Sequence, residues 1–504
     1  MTTQLANGKQ EHGMKKTLFP IITALLILLP VAMQAQVDSS NFQKTYQEFK
    51  EQAFQDYDEF RAKAYDEFER FLSEAWTEYQ SFAGPSDAYT SRKPETVPSL
   101  SVSTGIIDCN APFIESEMQP TETESERKDA LIPSDGNESN IIMINFYNRA
   151  LEFHVPKSLR ITAKGTKESQ VAKYHETMRE NDVNHSLQKE LDDAVNQMGL
   201  NDWGYFTLLR SISEKAFSET NDRVLFCFYM LHSHGFKARV GRGQKSGQIL
   251  LLLALDNSKE VYSLTFFRIN GTKYYIVYGN GKKGENAYSY NEKADDSNLK
   301  EIGLDFKNRL HITDCDKTRK LHLNKVDLDI ELPYSTAHLR YYDGIPTTEF
   351  PIYSNTAVSI ETEQTLASTF HSLGKTYNKV QLVDIMLNFV QTAFAYKIDE
   401  LQFDREKYFF PEETIGLPYS DCEDRSALFA WMVRRFTGYE VIGILYPDHL
   451  ATAVCFGDGV QLPGKSLTVD GKHYVICDPT YANASIGTVM PKYADATYEI
   501  VKMN

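Results

Sequence analysis

The chain has 504 residues, with 53 Lys and Arg against 69 Asp and Glu and a net charge of −16, so a polyanion such as nucleic acid would be repelled. Apolar residues make up 42% and aromatics 12%, with 29 Tyr and 29 Phe, which excludes a globally disordered chain. At ~100–200 residues per domain, the length predicts two to four units.

Met14-Lys15-Lys16 precedes an apolar run from Leu18 to Ala32 and then Met33-Gln34-Ala35-Gln36. This is the pattern of a basic n-region, an h-region and a small residue at a cleavage point. Residues 1–35 are therefore expected to be a signal peptide, with Met14 as the start, and the mature chain to work outside the cytoplasm, periplasmic or secreted. Pro20, Pro30 and a run shorter than the ~20 residues of a spanning helix weigh against a membrane anchor. An uncleaved anchor is the alternative, because Met33 is bulky for its place. No Cys follows for lipid attachment, and no later stretch is long and apolar enough to span, so no transmembrane helix is expected in the mature chain.

Aromatic residues then recur every eleven positions: Tyr46, Tyr57, Phe68 and Tyr79; Phe49, Phe60, Phe71 and Phe82; Phe54, Tyr65 and Trp76. Eleven residues make three turns at 3.67 per turn, so 36–83 is expected to be one long amphipathic helix with an aromatic stripe. The stripe should pack on the protein's own domains or on a partner helix. A carbohydrate platform would instead require exposed rings. Residues 84–139 turn to Pro, Ser, Thr and Glu, as in Lys93-Pro94-Glu95-Thr96, and are expected to be a linker.

The remainder reads as two copies of one α+β unit. Leu151-Glu152-Phe153-His154-Val155-Pro156 resembles Leu328-Asp329-Ile330-Glu331-Leu332-Pro333. The helix from Asn221 to Phe236 resembles that from Asp424 to Tyr439, and Asn270-Gly271 with its following strand resembles Asp470-Gly471 with its own. The units are set at 140–310 and 375–504, with a strand-rich lead-in at 311–374. The motif Asn201-Asp202-Trp203-Gly204-Tyr205 is expected to cap and pack a helix.

Chemistry concentrates in the second copy. Tyr419-Ser420-Asp421-Cys422-Glu423-Asp424-Arg425 leads into an apolar helix, which puts Cys422 at a helix N-terminus. Unpaired N–H groups and the dipole there favour a thiolate and can receive an oxyanion. Asp421 and Glu423 oppose this, so activation needs a histidine. Tyr446-Pro447-Asp448-His449 opens one strand and Cys477-Asp478-Pro479 closes another. A hairpin of the two would put His449 beside Asp478, giving nucleophile, base and orienter. Gln391 is either a polar helper at an oxyanion or an amide making structural hydrogen bonds. Trp431 and Tyr419 are expected to pack rather than to touch substrate.

These residues carry a resemblance. Over about 375–485 the chain resembles the bacterial transglutaminase-like cysteine proteases, whose motifs run Gly-Asp-Cys-x-Asp, then His at a strand start, then Asp-Pro; here Ser420 replaces the Gly. The resemblance implies a papain/transglutaminase-like core, a helix with N-terminal Cys packed on an antiparallel sheet, with Cys422 as nucleophile, His449 as base and Asp478 as its partner. It implies a thiol enzyme that cleaves or transfers amide bonds of a protein or peptide substrate, with no cofactor. Hydrolysis is expected over cross-linking, since water is abundant and nothing in the sequence marks an amine site.

Aligned through the helix, the first copy offers Glu219 or Thr220, Ser246 and Gly279 in place of the triad, and is expected to be a non-catalytic domain. No cysteine or histidine cluster has zinc spacing, so no metal is expected. Cys455 and Cys477 tempt as a disulfide, but if Cys477 faces Leu450 it lies five residues from Cys455, ~17 Å along a strand. Disulfides need Cα atoms within about 7 Å, so both are expected free and buried, as is Cys227 in its apolar helix. The rival reading is a binding or scaffold protein with a vestigial site.

Overall fold

The computed structural model describes residues 39–85, 93, 96, 99, 140–182, 185–256, 259–290, 298–457 and 459–503. The expected signal peptide, Cys109 and most of the expected linker lie outside them. The chain forms two compact units, 1–66 and 67–504, and the expected boundaries at 140, 311 and 375 all fall inside the second. Among the described residues no helix is long and apolar enough to cross a membrane.

The helix beginning at Ser39 ends at Ser73 instead of running to 83. Trp76 closes it, its indole N–H donating to Leu72 O at 3.0 Å. Phe68, Phe71, Leu72 and Trp76 are buried. Phe68 stacks on His232 at 4.2 Å between centroids and meets Tyr290 edge-on, while Glu69 accepts from Arg179 Nε at 2.9 Å. These rings of the stripe therefore pack on the chain's own core and are closed to sugars.

After the helix come β1 (Thr77–Tyr79) and β2 (Ser81–Ala83), with only Gln80 between them. A hairpin follows, β3 (Asn140–Phe146) with β4 (Arg149–Val155). Helices lead from there to Asp202–Ala216 and Thr220–Ser233. Asn201 caps the former through its Oδ1, which accepts from Gly204 N at 2.9 Å, and Trp203 ties it to Gly344 O. The strands β5 (Ala238–Gly243), β6 (Ile249–Leu253), β7 (Thr265–Ile269), β8 (Thr272–Tyr278) and β9 (Ala287–Ser289) complete the half.

The sheet runs β1-β9-β5-β6-β8-β7-β2, antiparallel at every pairing. Since β1 and β2 are consecutive pieces of one stretch on opposite edges, the sheet closes into a barrel. This explains β6, whose residues are apolar and buried on both faces. Leu250 and Leu252 join Phe267, Tyr274 and Ala287 in one cluster, while Leu251 and Leu253 belong to the main core with the helices. A strand covered on both sides has to be apolar on both.

The second half opens on a hairpin of β10 (Lys317–Leu323) and β11 (Leu328–Tyr334). Helices follow, the last of them Lys379–Ala393. Then come β12 (Ala395–Tyr396), two short helices, β13 (Tyr419–Ser420) and the helix Cys422–Thr437. The strands β14 (Glu440–Tyr446), β15 (His449–Cys455), β16 (Ser466–Val469), β17 (Lys472–Cys477) and β18 (Glu499–Lys502) form a sheet ordered β16-β17-β15-β14-β18. Strand for strand this matches β7-β8-β6-β5-β9 of the first half. The halves differ at the joint between their last two helices: residues 217–219 in the first, 394–421 in the second.

The strand register corrects one expectation. Cys477 pairs with Thr452, not Leu450. The five described cysteines are all free, Cys227 and Cys477 buried and Cys455 half-buried instead of buried.

Removing the Phe68 ring should cost about 3–5 kcal/mol, the range for a buried Phe→Ala change. Urea unfolding of Phe68→Ala checks this; an unchanged midpoint would mean that the helix end is a passenger on the core.

Candidate active site

The Cys422 helix begins where its sequence supplies a cap. Asp421 N donates to Asp424 Oδ2 at 3.0 Å, and Phe409 N donates to Asp424 Oδ1 at 2.9 Å. Gly438, at φ +73°, ends it in the left-handed conformation that glycine adopts without strain. Arg425 holds the same end to the preceding helix, donating to Gln391 O at 3.3 Å and Phe394 O at 2.6 Å. Ser426 lies one turn beyond Cys422 on the same helix face, and its hydroxyl donates to Leu450 O at 3.1 Å. That bond turns the face bearing Cys422 toward the start of β15, where His449 stands.

His449 Nε2 lies 2.9 Å from Asp478 Oδ2. The other carboxylate oxygen accepts from Thr480 N at 2.9 Å and Tyr481 N at 3.2 Å. Gln391 Nε2 donates to Asp478 O at 2.9 Å and to Ala484 O at 3.0 Å. Both amide hydrogens of Gln391 are therefore engaged in holding the Asp478 loop, and it has none to offer an oxyanion. The imidazole stacks on Tyr493, 5.2 Å between centroids and 13° from parallel. His449 Nδ1 is buried and has no hydrogen-bond partner among the described residues.

Cys422 is fully buried, and its S–H donates to Glu423 Oε2 at 2.9 Å. Among the described residues it makes no hydrogen bond to His449, so the expected nucleophile and base are not joined. Trp431 is buried against Phe436. Tyr419 is 40% exposed with Lys397 over its ring, which makes it a surface residue and corrects its expected packing role.

Beside Cys422 lies a residue that the sequence reading assigned to a linker. Lys93 is 3% exposed. Its ammonium stands 2.8 Å from Asp421 Oδ2, 2.9 Å from Glu423 Oε2 and 3.9 Å from Asp399 Oδ2, and pairs with Glu406 as well. Asp399 and Glu406 come from the 394–421 joint that the first half lacks. The acidic run around Cys422 was the signal for this: buried carboxylates need a cation, and Lys93 pairs with four of them.

Protons complete the neutralisation. Burial, reinforced by Asp421, pushes Asp399 up to about 10. Burial likewise lifts Glu406 to about 8 and Asp421 to about 7, against the pull of Lys93. Burial would also raise Glu423, but Lys93 and the Cys422 donor outweigh it and hold it below the usual range. The Cys422 thiol is pushed well up by burial and then by Glu423, with Lys93 opposing, so in this arrangement it is protonated.

Two groups among the described residues bring three possible metal-ligand atoms within 4.8 Å of one another, Asp399–Glu406–Asp421 and Asp421–Cys422–Glu423. Lys93 already contacts both. In the first half, helix and strand starts put Thr220 at the place of Cys422 and Ile249 at that of His449, correcting the expected Ser246, because the β5–β6 connection is longer. Gly279 follows β8 as Asp478 follows β17. A Cβ there would lie 2.5 Å from Ile249 O, on a backbone at φ +119°, so the position excludes a side chain.

Comparison with protein-family models, with curated proteins and with solved structures finds no match.

The folded chain holds protons on Asp399 and Glu406 that an unfolded chain releases above pH ~4. Stability should therefore fall as pH rises from 5 toward 10. Asp399→Asn, which keeps an acceptor for Lys407 N, should flatten that slope in thermal melts; a slope identical to wild type would mean that Asp399 is ionised in the fold.

Proposed function

We propose that this is an exported transglutaminase-like thiol enzyme that cleaves or transfers amide bonds of a protein or peptide, with Cys422 as nucleophile, His449 as base and Asp478 as its orienter. The observation that carries the reading is the His449–Asp478 pair: Nε2 is committed to the carboxylate while Nδ1 is buried without a partner among the described residues, at the point where Ser426 aligns the Cys422 face with β15. A helix with N-terminal cysteine on an antiparallel sheet supports the papain/transglutaminase-like core. The common strand order of the two halves supports a duplicated unit whose first copy is non-catalytic. The basic, then apolar, N-terminal sequence supports an extracytoplasmic location.

In the reaction, the Cys422 side chain first leaves Glu423 by rotation about its own bonds and donates to His449 Nδ1. The imidazole takes the thiol proton as sulfur adds to the amide carbonyl. First-turn N–H groups of the helix meet the developing oxyanion. The imidazolium then protonates the departing amine as the C–N bond breaks, leaving a thioester. Water gives its proton to His449 and attacks the thioester, and Cys422 recovers a proton as the carboxylic acid leaves. Asp478 holds the ring orientation and stabilises the imidazolium throughout.

A scaffold with a vestigial site is favoured by one observation, the bond of the Cys422 thiol to Glu423 in place of His449. Iodoacetamide labelling mapped to individual cysteines across pH 5–9 separates the two, in wild-type protein and in Lys93→Ala, which removes the cation beside Cys422. The enzyme reading expects reaction at Cys422 below the ordinary thiol pKa of ~8.5. His449→Ala in the same background should slow it at least roughly tenfold, within the 10²–10⁴-fold that a general base contributes. Labelling indifferent to His449 in both backgrounds would leave the scaffold.

A further inference from the structure

We propose that the carboxylates of Asp399, Glu406, Asp421 and Glu423 form a recognition pocket for an alkylammonium side chain of the substrate, and that Lys93 fills it in cis and keeps the site closed. The inference rests on the thiol-enzyme reading and adds to it a substrate class, a peptide with a lysine-like cation next to the bond attacked, and a means of restraint.

Three observations carry it. The pocket surrounds an ammonium at hydrogen-bond distance and adjoins the nucleophile, since Glu423 Oε2 receives both Lys93 Nζ at 2.9 Å and Cys422 Sγ at 2.9 Å. Among the described residues Asp421 and Asp399 each retain a buried carboxyl oxygen without a hydrogen-bond partner, Oδ1 in both, so the pocket has hydrogen-bonding capacity beyond what Lys93 uses. The segment bearing Lys93 has a second anchor at the other member of the site: Ser99 forms a parallel β-bridge with Ala482, in the loop that Gln391 ties to Asp478.

The pocket belongs to the second half alone. Asp399, Glu406 and Asp421 sit on the 394–421 joint, and the first half, without the triad, joins the matching helices through 217–219. Recognition and chemistry are present together in one half and absent together from the other.

The test is chemical rescue of Lys93→Ala by n-butylammonium chloride, with tetramethylammonium chloride at equal ionic strength as control. The pocket expects the variant to melt several degrees below wild type, or to fail to fold, and n-butylammonium alone to restore it. Lys93→Ala with Glu406→Gln, which has one uncompensated carboxylate fewer, should be less destabilised and respond less to the amine. Peptidyl-aminocoumarin amides with Lys in place of norleucine beside the cleaved bond should be turned over at least tenfold faster by Lys93→Ala. Rescue without His449-dependent reactivity or turnover would keep the pocket and remove the enzyme. Lys93→Ala that n-butylammonium neither refolds nor stabilises overturns the proposal and leaves Lys93 a structural counter-ion.

Discussion

The N-terminus of the Cys422 helix is organised by one charge balance. Asp399, Glu406, Asp421, Glu423 and Asp424 are gathered in the interior, where each uncompensated ion costs several kcal/mol. One ammonium cannot neutralise five carboxylates, so protons supply the rest, which is why Asp399, Glu406, Asp421 and Asp424 all hold theirs more tightly than usual. Glu423, next to the ammonium, is the exception. It is also the group bonded to the thiol, so the same balance that makes the cluster tolerable keeps sulfur in its unreactive form.

The first half carries the same strand order with different groups at the matching positions. Its helix and five strands follow the same order, yet Thr220 receives a hydrogen bond from Asn280 at 3.0 Å where the second half has sulfur and carboxylate ends. Its sheet is sealed by β1 and β2, and Arg239 lies fully buried with its guanidinium 4.1 Å over Tyr290. The second sheet lacks a closing strand among the described residues and ends on β16 and β18.

Much of the site could be read from local patterns. A Cys before an apolar run, a His after a two-residue turn and an Asp after the last strand residue are each fixed by neighbours in sequence, so the His449–Asp478 contact follows from strand ends alone. The second strand of the hairpin that opens each half was legible for the same reason, while its partner strand was not. Features set by distant partners were not. Tyr79 and Phe82 continue the eleven-residue aromatic period and read as helix, but their backbone pairs with β9 and β7 about two hundred residues on. Cys477 slipped two residues because register depends on the whole β15–β17 pairing. Lys93 stands in Pro- and Glu-rich sequence whose composition argues for a linker, and composition carries no trace of a salt bridge 328 residues away.

The anchoring of the segment before Lys93 sets how strongly an outside ligand must compete. Pro85 O is fixed by Ser263 N at 2.8 Å, so Lys93 is presented from a point only a few residues of chain away. A group held on so short a lead has an effective concentration in the millimolar range or above. A free peptide at micromolar concentration would then need roughly a thousandfold advantage in affinity to displace it. A single cut between Pro85 and Lys93 would not lift that handicap, because the chain beyond Lys93 is still pinned where Ser99 bridges Ala482.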